Sequence, residues 1–175
     1  MNDILIRDIV PEDMPQTQLV FYKTWLASYP NAEFGITVDD IEGKYASQNN
    51  PERLRQLQER VRNLPKNERY LVCEVGGTVV GVCRLVIDDA KNNLQAIYVL
   101  PEYQGKGIGT MFWAEALKFF DPKKPVSVCV ATYNAKAIAF YKKLGFKETG
   151  RVFNEERLRM KSGAIIPQTE LLMGV

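Results

Sequence analysis

The chain has 175 residues, 46% of them apolar and 25% charged, with a formal net charge of +2. That length fits one domain with a substantial core over residues 1–175, and so small a charge argues against nucleic acid as a partner. No histidine is present, which removes the commonest general base and zinc ligand and excludes Ser-His-Asp and Cys-His hydrolases.

Ile4 to Ile6 reads as a short first strand. A helix is predicted after Pro11-Glu12-Asp13, carrying Leu19, Tyr22, Trp25 and Leu26 toward the core at helical spacing. Tyr29-Pro30-Asn31 is a turn signal, and Thr37-Val38-Asp39-Asp40 caps a short helix through Tyr45. Asn50-Pro51 sets an N-cap followed by proline at the first helical position; Leu54, Leu57, Val61 and Leu64 then recur at helical spacing. Arg53, Arg55, Glu59, Arg60 and Arg62 fall on the remaining face, which reads as solvated. Two strands follow, Tyr70 to Val75 and Thr78 to Ile87, joined by the hairpin signal Gly76-Gly77. Leu94 to Leu100 is a further strand, and a helical pattern runs from the next glycines to about Phe120. Pro122 and Pro125 bracket a loop before a strand at Val126 to Ala131 and a helix at Asn134 to Leu144, closed by Gly145. Strands near Phe146 to Gly150 and Gln168 to Met173 complete the chain.

Hairpins first and strand–helix alternation later imply an α/β (α+β) fold: a mixed sheet, antiparallel early and partly parallel later, with helices on both faces. Cys73, Cys83 and Cys129 lie in apolar strand-like runs without a CxxC pair and read as small buried hydrophobes. Met1 to Asp8 lacks a basic segment leading into a long apolar stretch, and no run approaches the roughly 20 apolar residues of a membrane helix. The expectations are therefore no signal peptide, no membrane partner and a cytoplasmic location.

The stretch Gln104-Gly105-Lys106-Gly107-Ile108-Gly109-Thr110 joins a strand to a helix start. Free N–H groups of a first helical turn, the helix dipole and glycines that admit a ligand to the backbone make such a junction an anion site. It is not a Walker loop, because Gly107 rather than Ser or Thr follows Gly105-Lys106. It is not a dinucleotide fingerprint either, since its glycines are spaced GxGxG.

The run Ile97 to Gly109, with its Gln-x-x-Gly-x-Gly core, resembles the acetyl-CoA-binding motif of the GNAT superfamily of N-acetyltransferases. Asn134-Ala135-Lys136-Ala137-Ile138-Ala139-Phe140-Tyr141-Lys142-Lys143-Leu144-Gly145-Phe146 resembles that family's following helix, one strand later. The resemblance implies a mostly antiparallel central sheet of about six to seven strands. It implies acetyl transfer from acetyl-CoA to a primary amine by direct attack in a ternary complex, with no metal. The acceptor would be a small amine or polyamine, an amino acid or a peptide. A CoA-binding or sensing module without turnover is the alternative, and a homodimer is an open expectation.

By the same resemblance, Gln104, Gly105, Lys106, Gly107, Ile108, Gly109 and Thr110 hold the CoA pyrophosphate, and the backbone of Ile97, Tyr98 and Val99 holds the pantetheine arm. Asn134 contacts the cofactor, and Tyr141 is the acid toward the leaving thiolate. A phenol near pKa 10 giving its proton to a thiolate whose acid is near 8.5 is uphill by roughly 2 kcal/mol, so hydrogen bonding is easier than early transfer. Trp25, Tyr29 and Phe34 are placed at the acceptor pocket, with Glu33, Asp39, Asp40 and Glu42 to attract a cationic amine. Many family members carry a glutamate on the strand before the glycine turn. Here the region reads Asn92-Asn93-Leu94-Gln95, leaving Glu33, Glu74, Glu102 or a water chain as proton acceptor.

Overall fold

The computed structural model describes residues 4–47 and 50–174. Met1 to Asp3, the start of the N-terminal segment considered above, lie outside the described residues. Seven strands form one sheet: β1 (Ile4–Asp8), β2 (Glu68–Val75), β3 (Thr78–Ile87), β4 (Asn92–Val99), β5 (Val126–Ala131), β6 (Lys147–Phe153) and β7 (Gln168–Met173). Their spatial order is β1-β2-β3-β4-β5-β7-β6, and every neighbouring pair is antiparallel except β4 and β5. Five helices pack on it: α1 (Met14–Ser28), α2 (Val38–Tyr45), α3 (Pro51–Arg62), α4 (Ile108–Phe119) and α5 (Ala135–Lys143).

The central strands are buried on both faces. Val79, Val80, Val82, Cys83 and Leu85 of β3 are all buried, as a strand covered from both sides requires. Gly81 turns toward Phe112 of α4, while Arg84, three residues on and so on the opposite face, borders a cleft beneath α1. The Arg7 guanidinium ties three elements together: it donates to Asp13 at 2.7 and 2.9 Å and to Glu74 at 2.7 and 3.0 Å, fixing β1 to β2 and to the start of α1.

Two expectations need correction. Leu19 points outward and is 43% exposed; the stripe of α1 that turns inward is Met14, Thr17, Val20, Thr24 and Trp25. Thr24 is tolerated there because its hydroxyl donates back to the Val20 carbonyl at 2.7 Å. The strand read as ending at Gly150 continues to Phe153, because Gly150 adopts φ +80° inside an irregularity between Glu148 and Val152. The Gly76-Gly77 hairpin stands as read, both residues having positive φ.

The Thr37 cap also stands, and it does more than start α2. Thr37 Oγ accepts the Asp40 N–H at 3.1 Å, while Asp40 accepts the Thr37 N–H and hydroxyl, each at 2.9 Å. Asp40 further accepts the Ser162 N–H at 2.8 Å and hydroxyl at 2.9 Å, docking the distant segment after β6. Burial opposes ionisation, but these four donors outweigh it and pull the carboxyl down to about 2. A group whose folded pKa is depressed stabilises above its unfolded value, near 3.9, and loses that contribution as pH falls toward the folded value. Replacing Asp40→Ala should cost about 2–3 kcal/mol in urea unfolding at pH 7. Asp40→Asn should remove the part of the stability loss that wild type shows between about pH 4 and pH 2.

Candidate active site

β4 and β5 run side by side only from Asn92 to Leu94, paired with Val126 to Val128. Beyond that point they diverge. On its other side β4 stays on β3, but Leu85 faces Leu94 and Arg84 faces Ala96, so Gln95 is an extra residue that kinks the strand. The burial of β4 falls accordingly: Leu94 is 1% exposed and Val99 9%, whereas Gln95 is exposed and Ala96, Ile97 and Tyr98 are half-buried. The stretch that lost β5 keeps one backbone edge open.

A cleft of about 690 Å³ fills the gap. Ile97, Tyr98, Val99, Gln104, Gly105, Gly107, Ile108, Gly109, Thr110, Asn134 and Tyr141 all border it. Lys106 does not; its ammonium lies over the Tyr103 ring at 4.6 Å, where solvent and the ring face hold it. The glycines have separate reasons. Gly105 and Gly107 adopt φ +77° and +81°, and the space where a Cβ would stand is empty at both. At Gly109 a Cβ would come within 2.9 Å of the Phe140 ring, so this glycine lets α4 and α5 touch.

Helix α4 makes its first bond from Met111 N–H to Gly107 O at 3.0 Å. Among the described residues, the N–H groups of Ile108, Gly109 and Thr110 donate to no acceptor in the chain, so three donors face the cleft. Gln104 acts as a strap: its Nε2 donates to the Val99 carbonyl at 2.8 Å and its Oε1 accepts from Lys136 Nζ, joining the end of β4 to α5. Asn134 is the N-cap of α5, its Oδ1 accepting the Ala137 N–H at 3.1 Å. The Tyr141 ring is 5% exposed between Phe140 and Phe146, and its hydroxyl bonds no other described residue. Burial, then Cys83 and Tyr98, push its pKa well above that of a free phenol.

A second cleft, about 910 Å³, opens on the other side of the divergence. Trp25 borders it, and Tyr29, Gln95, Ala96, Tyr98 and Cys129 border both clefts. The Tyr29 and Tyr98 hydroxyls are 2.9 Å apart, and the Tyr29 carbonyl accepts the Tyr133 hydroxyl at 2.8 Å, fixing the end of α1 against the junction. Burial raises the pKa of both phenols. Cys129 thus departs from the buried role that Cys73 and Cys83 keep; burial, then Glu170 and Glu155, raise its pKa and leave it a thiol.

The acidic residues expected at the acceptor pocket are elsewhere. Asp40 is committed to its cap, Glu33, Asp39 and Glu42 are exposed, and none of the four borders either cleft. Phe34 stacks on Tyr133 at 5.1 Å and borders neither cleft. Glu74 pairs with Arg7 and Glu102 is exposed, so neither candidate proton acceptor reaches the junction. Within the stretch Asn92 to Gln95 that lacks the glutamate, Asn93 borders the second cleft and donates to Asp88 at 2.5 Å. The carboxylates that border this cleft are Glu155 and Glu170. Glu170 accepts from the Lys91 ammonium and from the Ser127 hydroxyl, each at 2.8 Å; the Lys91 bond most of all holds its pKa down, against burial.

Residues 28–146 match the acetyltransferase (GNAT) family. The chain belongs to that family. An uncharacterized N-acetyltransferase of Methanocaldococcus jannaschii is 34% identical over 88 residues, 45% of this chain and 39% of that protein. The peptidyl-lysine N-acetyltransferase YjaB of Salmonella typhimurium is 37% identical over 59 residues, 34% of this chain and 39% of that protein. The chain thus spans about two fifths of the length of these curated relatives. The paia N-acetyltransferase of Thermoplasma acidophilum, solved in complex with coenzyme A, shares the GNAT fold over 99% of both chains, with a TM-score of 0.69 and 24% identity. Among the described residues no helix is long and apolar enough to cross a membrane.

The contact of α4 and α5 through Gly109 yields a direct test. Gly109→Ala should lower stability by about 1–3 kcal/mol in thermal unfolding, as overpacking does, because the Phe140 ring has to move.

Proposed function

We propose that this GNAT protein transfers an acetyl group from acetyl-CoA to a primary amine by direct attack in a ternary complex. The observation that carries the reading is the junction of two clefts at the point where β4 leaves β5, one of them with a helix N-terminus of unpaired donors. A diphosphate suits that cradle: the N–H groups of Ile108, Gly109 and Thr110 and the empty space over Gly105 and Gly107 leave room for its oxygens. The open edge of β4 at Ile97, Tyr98 and Val99 suits an extended amide chain, which would complete the ladder that β5 abandons.

Acetyl-CoA supplies the acetyl group as a thioester. A backbone N–H on the open edge of β4 polarises the carbonyl and holds the developing oxyanion, a contribution of roughly 3 kcal/mol from one well-placed donor. The amine approaches through the wider cleft past Trp25 and Tyr29 and gives up its proton to water there. Supplying neutral amine from an ammonium of pKa near 10.4 costs roughly 4–5 kcal/mol at pH 7. Tyr141 meets the departing sulfur with its free hydroxyl. Its raised pKa makes it a weaker acid than an ordinary phenol, which favours hydrogen bonding to the thiolate over early proton transfer.

A CoA-binding module without turnover is the second reading, favoured by the missing carboxylate in the stretch Asn92 to Gln95. The unpartnered Tyr141 hydroxyl at the cleft favours catalysis. Thiol release on mixing the protein with acetyl-CoA and an amine panel, dependent on both, supports transfer; CoA binding without product from any amine supports the module.

Tyr141→Phe should lower kcat about 100-fold while acetyl-CoA affinity stays within about twofold; unchanged kcat removes Tyr141 from the chemistry. Acceptor kcat/KM should rise with pH as the amine deprotonates. It should show no decline from tyrosine ionisation up to about pH 10, because Tyr29, Tyr98 and Tyr141 all titrate above the ordinary phenol.

A further inference from the structure

The wider cleft is lined by six cationic side chains, Lys44, Arg53, Arg84, Lys91, Arg151 and Arg157, against two carboxylates. One cleft therefore holds an excess of four positive charges in a chain whose total is +2. Internal pairing does not absorb them. Lys91 at 2.8 Å and Arg151 at 3.6 Å share Glu170, and Arg157 holds Glu155. Arg84 reaches Glu68 at 3.7 Å, which Arg60 also engages at 3.3 Å. Among the described residues Lys44 and Arg53 have no carboxylate partner; the Lys44 ammonium sits over the Trp25 ring at 5.0 Å.

Phe21, Trp25 and Tyr29 line the same cleft as these cations. Lys44 comes to it from α2 and Arg53 from α3, Arg151 from β6 and Arg157 from the segment just after it. A concave, partly apolar wall concentrates such a field. Lys44 registers it: partial burial, then Arg157 and Arg53, pull its pKa below that of an ordinary lysine.

Resting on the assignment of this cleft to the acceptor, we propose that the acceptor is an amine carrying carboxylate or phosphate groups on the same molecule, and not a polyamine. Guanidinium forks pair with either oxyanion in bidentate geometry, and the excess of positive charge lining the cleft repels a molecule with several ammonium groups. The same field acts on the reacting nitrogen. Neighbouring positive charge disfavours the ammonium form and favours neutral amine, which lessens the need for a strand glutamate. The anionic groups of the acceptor anchor a molecule whose amine the cleft alone would repel.

The test compares acceptors at fixed acetyl-CoA: glutamate, a peptide beginning Asp-Glu, phosphoethanolamine, glycinamide and spermidine. At least one anionic amine should exceed spermidine and glycinamide by about 100-fold in kcat/KM. That advantage should shrink as salt is raised from low ionic strength. The ranking among the three anionic amines separates a carboxylate from a phosphate anchor and a free amino acid from a peptide. The double variant Lys44→Glu, Arg53→Glu should raise the KM of the best anionic acceptor about 10-fold or more, with the KM for acetyl-CoA unchanged. Lys44→Gln, checked for an unaltered melting midpoint, should move the same KM in the same direction. Spermidine or glycinamide acetylated as well as every anionic amine overturns this inference while leaving acetyl transfer standing. An acceptor KM that ignores all three substitutions overturns it too. Transfer to no amine at all removes both readings.

Discussion

Backbone groups inside a sheet must find partners, and the parting of β4 from β5 after Leu94 and Val128 leaves a row of them without any. Most of the site follows from that local failure of pairing. Gln95, inserted as an extra residue, bends β4 away while β3 keeps hold of its other edge. The bend opens a wedge that no side chain fills, and the chain then turns at Pro101 and runs through the glycines into α4, whose N-terminus closes one end. Two clefts meet in the wedge, where Tyr29, Tyr98 and Cys129 border both.

The walls of the wedge are held by contacts that reach across the fold. Tyr133 bonds the carbonyl of Tyr29, and Tyr29 meets Tyr98, so α1, β4 and the segment leading into α5 are locked at the junction. On the far side Asp40 gathers the donors of Thr37 and Ser162, holding α2 against the segment after β6. The two arms that carry the cationic side chains are therefore braced to each other, although more than a hundred residues separate them in sequence.

Much of this was legible in the chain. The glycine turn, the Asn134 helix and their order picked out most of the residues that border the narrower cleft, because helix starts and tight turns are local and their residues adjacent. Of the residues read there, Lys106 alone turned away, since an exposed lysine answers to solvent and the nearest ring. The wider cleft was not legible to the same degree. Its charged lining comes from α2, α3, β3, β6, β7 and the loops beside them, and only tertiary packing brings these together. One signal did exist: Arg151, Phe153, Glu155 and Arg157 recur at every second residue, as do Ser127 with Cys129 and Gln168 with Glu170, the spacing of side chains on one face of an extended chain. The reading of Gly150 as a strand end hid it. Leu19 misled for a related reason: hydrophobicity suggested the inward face of α1, but two threonines hold that face.

The Gln104 strap has a thermodynamic meaning. Its amide grips the Val99 carbonyl on one side and accepts from Lys136 on the other, so the turn from Gly105 to Gly107 is held open between two fixed points by the protein alone. A flexible glycine turn would have to surrender its conformational entropy when an anion arrived. Here that ordering is completed during folding, so an anion arriving at the turn would meet donors already in place. Affinity at such a site depends on the stability of the strap as much as on the glycines that touch the ligand.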